Sequence, residues 1–202
     1  MRTLGVLLAG GRGTRMGAAS PKALVTCGGQ TLLARAMTTL ERLCDPVVVV
    51  VPGEMELPVS RTDRLDDPPG ARGPLPAMLA GLASRPFDEA LVLAVDLPLV
   101  TVAALTALRA LRGDALAVMA APGALPQPLA AWYAPGARAP LEAALASGER
   151  SVIAACRTLN PRLVIDDELT AIAEGGGFQW NVNTTEDLAR AERMLAAGHP
   201  LP

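Results

Sequence analysis

The chain has 202 residues, half of them hydrophobic, and a formal net charge of −2 at pH 7. This length suits one α/β domain with a substantial core, whereas the near-neutral charge and the 2% of aromatic residues argue against a nucleic-acid binder. The apolar run at residues 47–51 is far shorter than the ~20 residues that span a bilayer, so we expect a cytoplasmic protein with no membrane partner.

Apolar and amphipathic segments alternate along the chain. We predict strands at residues 3–8, 46–51, 90–95, 115–120, 129–133 and 163–165, and helices at residues 31–43, 75–82, 102–111, 139–146, 151–159 and 185–197. The first half of this pattern is typical of βαβ units. The predicted fold class is therefore α/β, a single doubly wound, mostly parallel sheet with helices on both faces.

The first predicted strand ends in a glycine-rich, cationic loop, Leu8-Ala9-Gly10-Gly11-Arg12-Gly13-Thr14-Arg15-Met16-Gly17, with Pro21-Lys22 following. Glycines reach positive φ without a Cβ penalty, so their backbone N–H groups can surround an anion. Arg12, Arg15 and Lys22 can neutralise its charge. The spacing differs from the dinucleotide fingerprint and from the P-loop. A polyphosphate site is the functional interpretation, and a solvated glycine turn is the alternative.

Asp96 directly follows the predicted strand at 90–95. If that strand is parallel to the first, Asp96 and the glycine loop lie at the same edge of the sheet, where a carboxylate can hold Mg²⁺ against phosphates. The alternative role is an N-cap for the helix at 102. His199 is the only histidine in the chain, which argues against a histidine triad or a multi-histidine metal site. Any catalytic metal therefore depends on carboxylates.

The three cysteines, Cys27, Cys44 and Cys156, are widely spaced and form no C-x-x-C pair. This pattern predicts neither a disulfide framework nor a zinc site. We interpret them as reduced residues without a catalytic role.

Two further segments carry candidate polar groups. Residues 52–73 form a loop that includes Asp66 and Asp67 and ends in Gly73-Pro74, where a helix begins. A helix start can contact an anion, and carboxylates in a polar loop are often only solvated. Near the end, Asn181 and Asn183 lie on one face of an extended segment and can share a ligand. Turn chemistry before the last helix is the alternative, and Thr184 with Asp187 has capping-box spacing.

The motifs LAGGRGTRMG, PKAL, GPL, GERS and NVNTTEDLARAE occur in this order through nearly the whole chain. In this the chain resembles nucleotidyltransferases of the molybdenum cofactor guanylyltransferase type, the MobA-like family. The resemblance implies a Rossmann-like fold and transfer of GMP from GTP to the terminal phosphate of molybdopterin. It also implies Mg²⁺ as cofactor, with Mn²⁺ as an alternative, and maturation proteins of molybdoenzymes as further partners.

The resemblance also implies roles for individual residues. The guanine nucleotide would be bound by Leu8, Ala9, Gly10, Gly11, Gly13, Lys22, Asp66, Gly73 and Asp96. Among these Lys22 and Asp96 would act in catalysis together with Arg15, and Asp96 would hold the metal. Asp66 is selected over Asp67 because the family's aspartate precedes GPL by seven residues; a shift of one residue in the loop would select Asp67 instead. The acceptor would be bound by Arg150, Asn181 and Asn183, so that residues up to about 100 form a nucleotide half and the rest an acceptor half.

Base selectivity is the point at which the sequence departs from the family. The family's basic and asparagine side chains after the second strand are replaced by Val51-Pro52-Gly53-Glu54, so that one base contact has no match. Gly10-Gly11 favours guanine, because related cytidylyltransferases have alanine there and a missing Cβ leaves room for a larger base. Nucleotidyl transfer from CTP, or to a sugar phosphate, is the alternative within the same chemistry. A non-catalytic nucleotide-binding protein that delivers cofactor is the alternative of another class.

Overall fold

The computed structural model describes residues 1–11, 21–60, 63–68, 70, 73–172 and 176–198. The strands described are β1 Thr3–Leu8, β2 Thr26–Cys27, β3 Gln30–Thr31, β4 Val47–Val51, β5 Arg64–Asp66, β6 Glu89–Ala94, β7 Ala117–Ala120, β8 Ala130–Tyr133 and β9 Arg162–Val164. The α-helices described are α1 Leu32–Glu41, α2 Pro74–Ala83, α3 Val102–Ala110, α4 Arg138–Ala146, α5 Val152–Arg157, α6 Asp166–Ala171 and α7 Thr185–Ala196.

Seven strands form one mixed sheet in the order β5-β4-β1-β6-β8-β7-β9, and β2 pairs with β3 in a separate hairpin. β1 lies parallel to both β4 and β6, with Val6 opposite Val48 on one side and Val92 on the other. β8 is antiparallel to its two neighbours, and the remaining pairings are parallel. The predicted α/β class with a mostly parallel sheet is confirmed. The carboxyl ends of β1, β4 and β6 therefore meet at one edge.

The sheet is covered on both faces, which explains why its central strands are continuous apolar runs. Leu7 and Val49 pack in the cluster that includes α1 and α3, whereas Val6 and Val48 pack in the cluster that includes α2. Gly81 lets α2 lie close to the strands, because a Cβ there would overlap the side chain of Val6. This close packing brings the N-terminus of α2 to the edge where β1, β4 and β6 end.

The structure adds three elements that the sequence pattern did not predict. β5 lies inside the predicted loop at 52–73, the β2–β3 hairpin follows the glycine loop, and α6 follows β9. β5 has three residues, two of them charged, so it shows no apolar alternation by which to detect it. The predicted strands and helices otherwise match the observed ones to within about two residues at each end. No helix among the described residues is long and apolar enough to span a membrane.

Candidate active site

A cavity of about 380 Å³ opens at the carboxyl ends of β1, β4 and β6. It is lined by Leu8, Gly10, Gly11, Val50, Pro52, Asp67, Gly73, Pro74, Ala77, Ala94, Val95, Asp96 and Leu129. Most of these residues are apolar, and the carboxylates of Asp67 and Asp96 are the charged groups among them. This is the edge at which open α/β sheets bind ligands, and the volume lies within the range of small-molecule sites, roughly 300–1,000 Å³.

Lys22 joins two of the predicted site residues at this edge. It begins a 3₁₀ turn after Pro21, and its main-chain N–H donates to the carbonyl of Gly11 (3.3 Å). Its ammonium Nζ donates to Asp96 Oδ2 (2.9 Å) and to Asn183 Oδ1 (2.8 Å). The Lys22 side chain is only 10% exposed, so these acceptors offset much of the cost of burying its charge. Lys22, Asp96 and Asn183, which are far apart in sequence, thus form one polar cluster.

The two carboxylate oxygens of Asp96 differ in their contacts among the described residues. Oδ2 accepts from Lys22, whereas Oδ1 is buried and has no hydrogen-bond partner among the described residues. The N-cap of α3 is Thr101, whose hydroxyl accepts from the N–H of Ala104, so Asp96 does not cap that helix. Asp96 is one of the residues that line the cavity, and an unpartnered carboxylate oxygen has the chemistry that a hard divalent cation requires.

Asp67, and not Asp66, lies on the cavity wall. Asp66 pairs with Arg64 (2.9 Å) and its side chain is 62% exposed, whereas Asp67 Oδ1 is buried without a partner among the described residues. Burial raises the pKa of the Asp67 carboxyl. The seven-residue spacing selected Asp66, but successive side chains of an extended segment point to opposite sides. The carboxylate that lines this cavity is therefore that of Asp67.

The remaining nucleotide candidates divide into three groups. Leu8, Gly10, Gly11 and Gly73 line the cavity as expected; of these, Gly11 and Gly73 have φ of +121° and +80°, which favour glycine. Ala9 is completely buried in the core instead of lining the cavity, and its N–H donates to the carbonyl of Val50. Arg12, Gly13 and Arg15 lie outside the described residues.

The three acceptor candidates are not gathered in one place. Asn183 contacts Lys22, whereas Asn181 lines a separate recess beside Trp180 and Asp187. The shared ligand predicted for the two asparagines therefore has no support in these contacts. Arg150 is exposed and its guanidinium donates to the carbonyls of Leu145 and Glu149. Its own carbonyl would lie 3.5 Å from a Cβ placed on Gly73, which puts the Arg150 main chain near the start of α2.

Two further observations limit the chemistry of this site. Among the residues that the structure describes, no three His, Cys, Asp or Glu side chains form a cluster able to hold a metal. Burial raises the pKa of Cys44 to about 12 and that of Cys156 to about 11, so both thiols are protonated at neutral pH. A metal at this edge would rest on Asp96 and on oxygens of the ligand itself, and neither of these thiols is an activated nucleophile.

Comparison with known proteins gives one matching family model and several related sequences. The model of the MobA-like NTP transferase domain matches residues 5–161. The molybdenum cofactor guanylyltransferase of Bradyrhizobium sp. (strain ORS 278) is 33% identical over 202 residues, covering 95% of this chain and 92% of that protein.

Solved structures show the same fold. Molybdopterin-guanine dinucleotide biosynthesis protein A from Archaeoglobus fulgidus superposes with a TM-score of 0.73 at 23% identity, covering 96% of this chain and 99% of that one. Rv0371C from Mycobacterium tuberculosis, solved as a complex with manganese, superposes with a TM-score of 0.65 at 16% identity, covering 96% and 99%.

Proposed function

Because the chain belongs to the MobA-like NTP transferase family and is a nucleotidyltransferase, we propose that it transfers GMP from GTP to the terminal phosphate of molybdopterin. The products are the guanine dinucleotide form of the cofactor and pyrophosphate. The observation that carries the proposal is the polar cluster of Lys22, Asp96 and Asn183, in which Asp96 lies on the wall of the cavity of about 380 Å³. The name of the relative from Bradyrhizobium supports the choice of substrates.

The reaction needs charge neutralisation more than proton transfer. An oxygen of the molybdopterin phosphate forms a bond to the α-phosphorus of GTP, and the bond from that phosphorus to the β-bridging oxygen breaks. The departing pyrophosphate keeps that electron pair. Since the attacking oxygen is already an anion, no general base is required, and rate enhancement comes from positioning and electrostatic stabilisation.

Lys22 supplies a cation at the place where negative charge accumulates. An ammonium has three N–H donors, and the contacts with Asp96 and Asn183 use two of them. The third can donate to a phosphate oxygen of the nucleotide. Arg15, predicted from the resemblance to act beside Lys22, would contribute a second cation.

The residues present fit a divalent cation. Asp96 Oδ1 is a buried acceptor without a partner in the described part of the chain, and Mg²⁺, with Mn²⁺ as an alternative, prefers carboxylate and phosphate oxygens. When bound there, the ion would neutralise charge on the phosphates of the nucleotide. Asp96 would hold it, while Lys22 keeps the other carboxylate oxygen in a fixed orientation.

The base and ribose would occupy the less polar part of the cavity. Leu8, Val50 and Pro52 supply apolar contacts there, and a Cβ on Gly10 would project to within 3.7 Å of the Pro52 ring, so glycine leaves this space to the nucleotide. Asp67 would accept hydrogen bonds from nucleoside donors, taking the contact predicted for Asp66.

We also propose the setting of this reaction. The chain acts in the cytoplasm as one domain, with a nucleotide half up to about residue 100 and an acceptor half after it. Maturation proteins of molybdoenzymes would receive the product. The protonated, unpaired state of the three buried cysteines suits a reducing compartment.

The decisive experiment measures pyrophosphate release from purified protein supplied with Mg²⁺, molybdopterin and either GTP, CTP or ATP. We expect release with GTP, dependent on molybdopterin, and its loss on removal of Mg²⁺ with a chelator. Release with CTP and not GTP would replace guanylyl by cytidylyl transfer. Tight GTP binding without pyrophosphate release would instead indicate the cofactor-delivery protein.

A further inference from the structure

We propose that Asp187 is a positioning residue for the reaction, because it holds Asn183 in the place where the Asn183 side chain receives the Lys22 ammonium. This inference rests on the proposed function. Asp187 itself touches neither Lys22 nor Asp96 in the described contacts. Its action would pass through the main chain of Asn183.

The contacts around Asp187 extend beyond the start of its own helix. Its carboxylate Oδ2 accepts from the main-chain N–H groups of both Asn183 and Thr184, each at 2.9 Å. In return, the N–H of Asp187 donates to the Thr184 hydroxyl (3.1 Å). The Thr184 contacts form the capping box of α7. The contact with Asn183 lies one residue further out, on the residue that contacts Lys22.

Asn183 needs such support because it lies outside any strand or helix. It is exposed and precedes the N-cap of α7, in a stretch between residues 180 and 184 without regular structure. Fixing one residue's backbone costs about 1–2 kcal/mol of conformational entropy. The hydrogen bond from the Asn183 main-chain N–H to Asp187 offsets part of this cost. The side-chain amide oxygen of Asn183 is then already aimed at Lys22.

The residue before Asn183 is also held in place, by a hydrogen bond to Asp96. The N–H of Val182 donates to the carbonyl of Asp96 (2.8 Å), and the Val182 side chain is buried. A hydrogen bond therefore joins the main chain of Asp96 to the residue before Asn183, and the Lys22 ammonium joins the Asn183 side chain to the Asp96 carboxylate. Asp187 fixes this closed loop of contacts to α7.

The electrostatic state of Asp187 agrees with this role. Hydrogen bonds from the main chain, that of Asn183 first, hold the pKa of the Asp187 carboxyl below its usual value. A carboxylate is a stronger acceptor for N–H groups than a neutral side chain. Asn183 is thus held by a charge-assisted bond.

A simple helix cap is the competing explanation, and Thr184 provides the matched control. Thr184→Ala removes one reciprocal bond of the capping box but leaves the Asp187 carboxylate available to Asn183. Asp187→Ala removes both acceptor contacts. If Asp187 only caps α7, the two variants should lose stability and retain function in the same way.

The test measures the dissociation constant of GTP in the presence of Mg²⁺ by calorimetry, kcat and KM for pyrophosphate release, and thermal stability. The proteins are the wild type, Thr184→Ala, Asp187→Ala, Asp187→Asn, Asn183→Ala and the double variant Asn183→Ala/Asp187→Ala. Asp187→Asn keeps an oxygen acceptor in the same place, so it serves as the rescue variant and keeps the test valid where Asp187→Ala folds poorly.

We expect Asp187→Ala to weaken GTP binding and to lower kcat/KM by about tenfold, a typical size for coupling between contacting residues. For Thr184→Ala, the dissociation constant of GTP and kcat/KM should stay within about twofold of the wild-type values, which is the scale of non-additivity between independent sites. Asp187→Asn should recover most of the GTP binding and kcat/KM that Asp187→Ala loses. In the Asn183→Ala background, loss of Asp187 should have little further effect.

Equal function in Asp187→Ala and Thr184→Ala, or fully additive losses with Asn183→Ala, would overturn the positioning role. GTP binding without pyrophosphate release by the wild type would overturn the proposed function. The GTP dissociation constants of Asn183→Ala, Asp187→Ala and the double variant would still decide the role of Asp187. A wild type that binds no GTP would overturn both.

Discussion

Replacing Lys22 with methionine tests whether the lysine neutralises Asp96. Methionine keeps much of the apolar stem of lysine but lacks the ammonium. In Lys22→Met, Asp96 Oδ2 would lose its 2.9 Å partner, and Oδ1 already has none among the described residues. The Asp96 side chain is 22% exposed, so water replaces the lost contact only in part.

The expected magnitude follows from this partial burial. Removing one member of a fully buried ion pair costs about 3–5 kcal/mol, and leaving a buried polar group unsatisfied costs about 1–3 kcal/mol. Because Asp96 retains some access to solvent, we expect Lys22→Met to lower the free energy of unfolding by about 1–3 kcal/mol. The double variant Lys22→Met/Asp96→Asn removes the uncompensated charge, and it should be more stable than Lys22→Met.

Urea denaturation followed by circular dichroism measures these free energies for the wild type, both single variants and the double variant. Pyrophosphate release should fall below detection in each variant, since each lacks a residue that we place in the reaction. The reasoning is refuted if Lys22→Met is as stable as wild type, or if the double variant is less stable than Lys22→Met. Wild-type turnover by Lys22→Met would refute the catalytic assignment.

Three further predictions concern other parts of the chain. Asp67→Asn should weaken GTP binding about tenfold, within the range for a lost charged hydrogen bond, whereas Asp66→Asn should bind as wild type; calorimetry checks both. Gly81→Ala should lower the free energy of unfolding by about 1–3 kcal/mol through overpacking, and urea denaturation measures this. Folding raises the pKa of the Cys44 thiol from 9.0 to about 12, so on titration with base the unfolded chain releases this proton before the folded chain does. The free energy of unfolding should therefore fall as pH rises from 9 towards 12. Cys44→Ala should flatten this dependence.

Each of these predictions has its own contrary result. Equal binding by the two aspartate variants would return the nucleotide contact to an open question between Asp66 and Asp67. Gly53→Ala is the control for Gly81→Ala, because a Cβ there meets, among the described residues, only Asp66 Cγ, at 3.9 Å; equal losses would mean that close packing of α2 is not the cause. An unchanged pH profile in Cys44→Ala would mean that this thiol does not contribute.

The predictable part of the fold is the part encoded by local pattern. The central strands are unbroken apolar runs because both faces of the sheet are covered, and the run from Thr3 to Leu8 is identical in the sequence pattern and in β1. β5 and the β2–β3 hairpin escaped prediction because strands of only two or three residues are too short to carry a periodic signal. β5 in addition pairs with β4, which lies earlier in the chain, so this strand forms only when the two segments meet on folding.

The candidate site divides in the same way. Strand ends and glycines predicted a role for Lys22 and Asp96, because the chemistry of a strand edge depends on residue type and position along the chain; the structure brings these two side chains into contact. The spacing selected Asp66, whereas Asp67 lines the cavity, since a shift of one residue in an extended segment reverses which side chain faces the cavity. That choice depends on how β5 pairs with β4, and it is made by tertiary packing.

The sequence by itself determined the fold class, the cationic glycine loop and the identity of the groups available for chemistry, because these follow from local composition and from periodicity. Only the tertiary structure decided that the Lys22 ammonium lies between Asp96 and Asn183 and that Asn181 faces a separate recess. These contacts span up to 161 residues of chain. Contacts over such separations are set by the packing of the sheet and α7, which no local pattern of residues records.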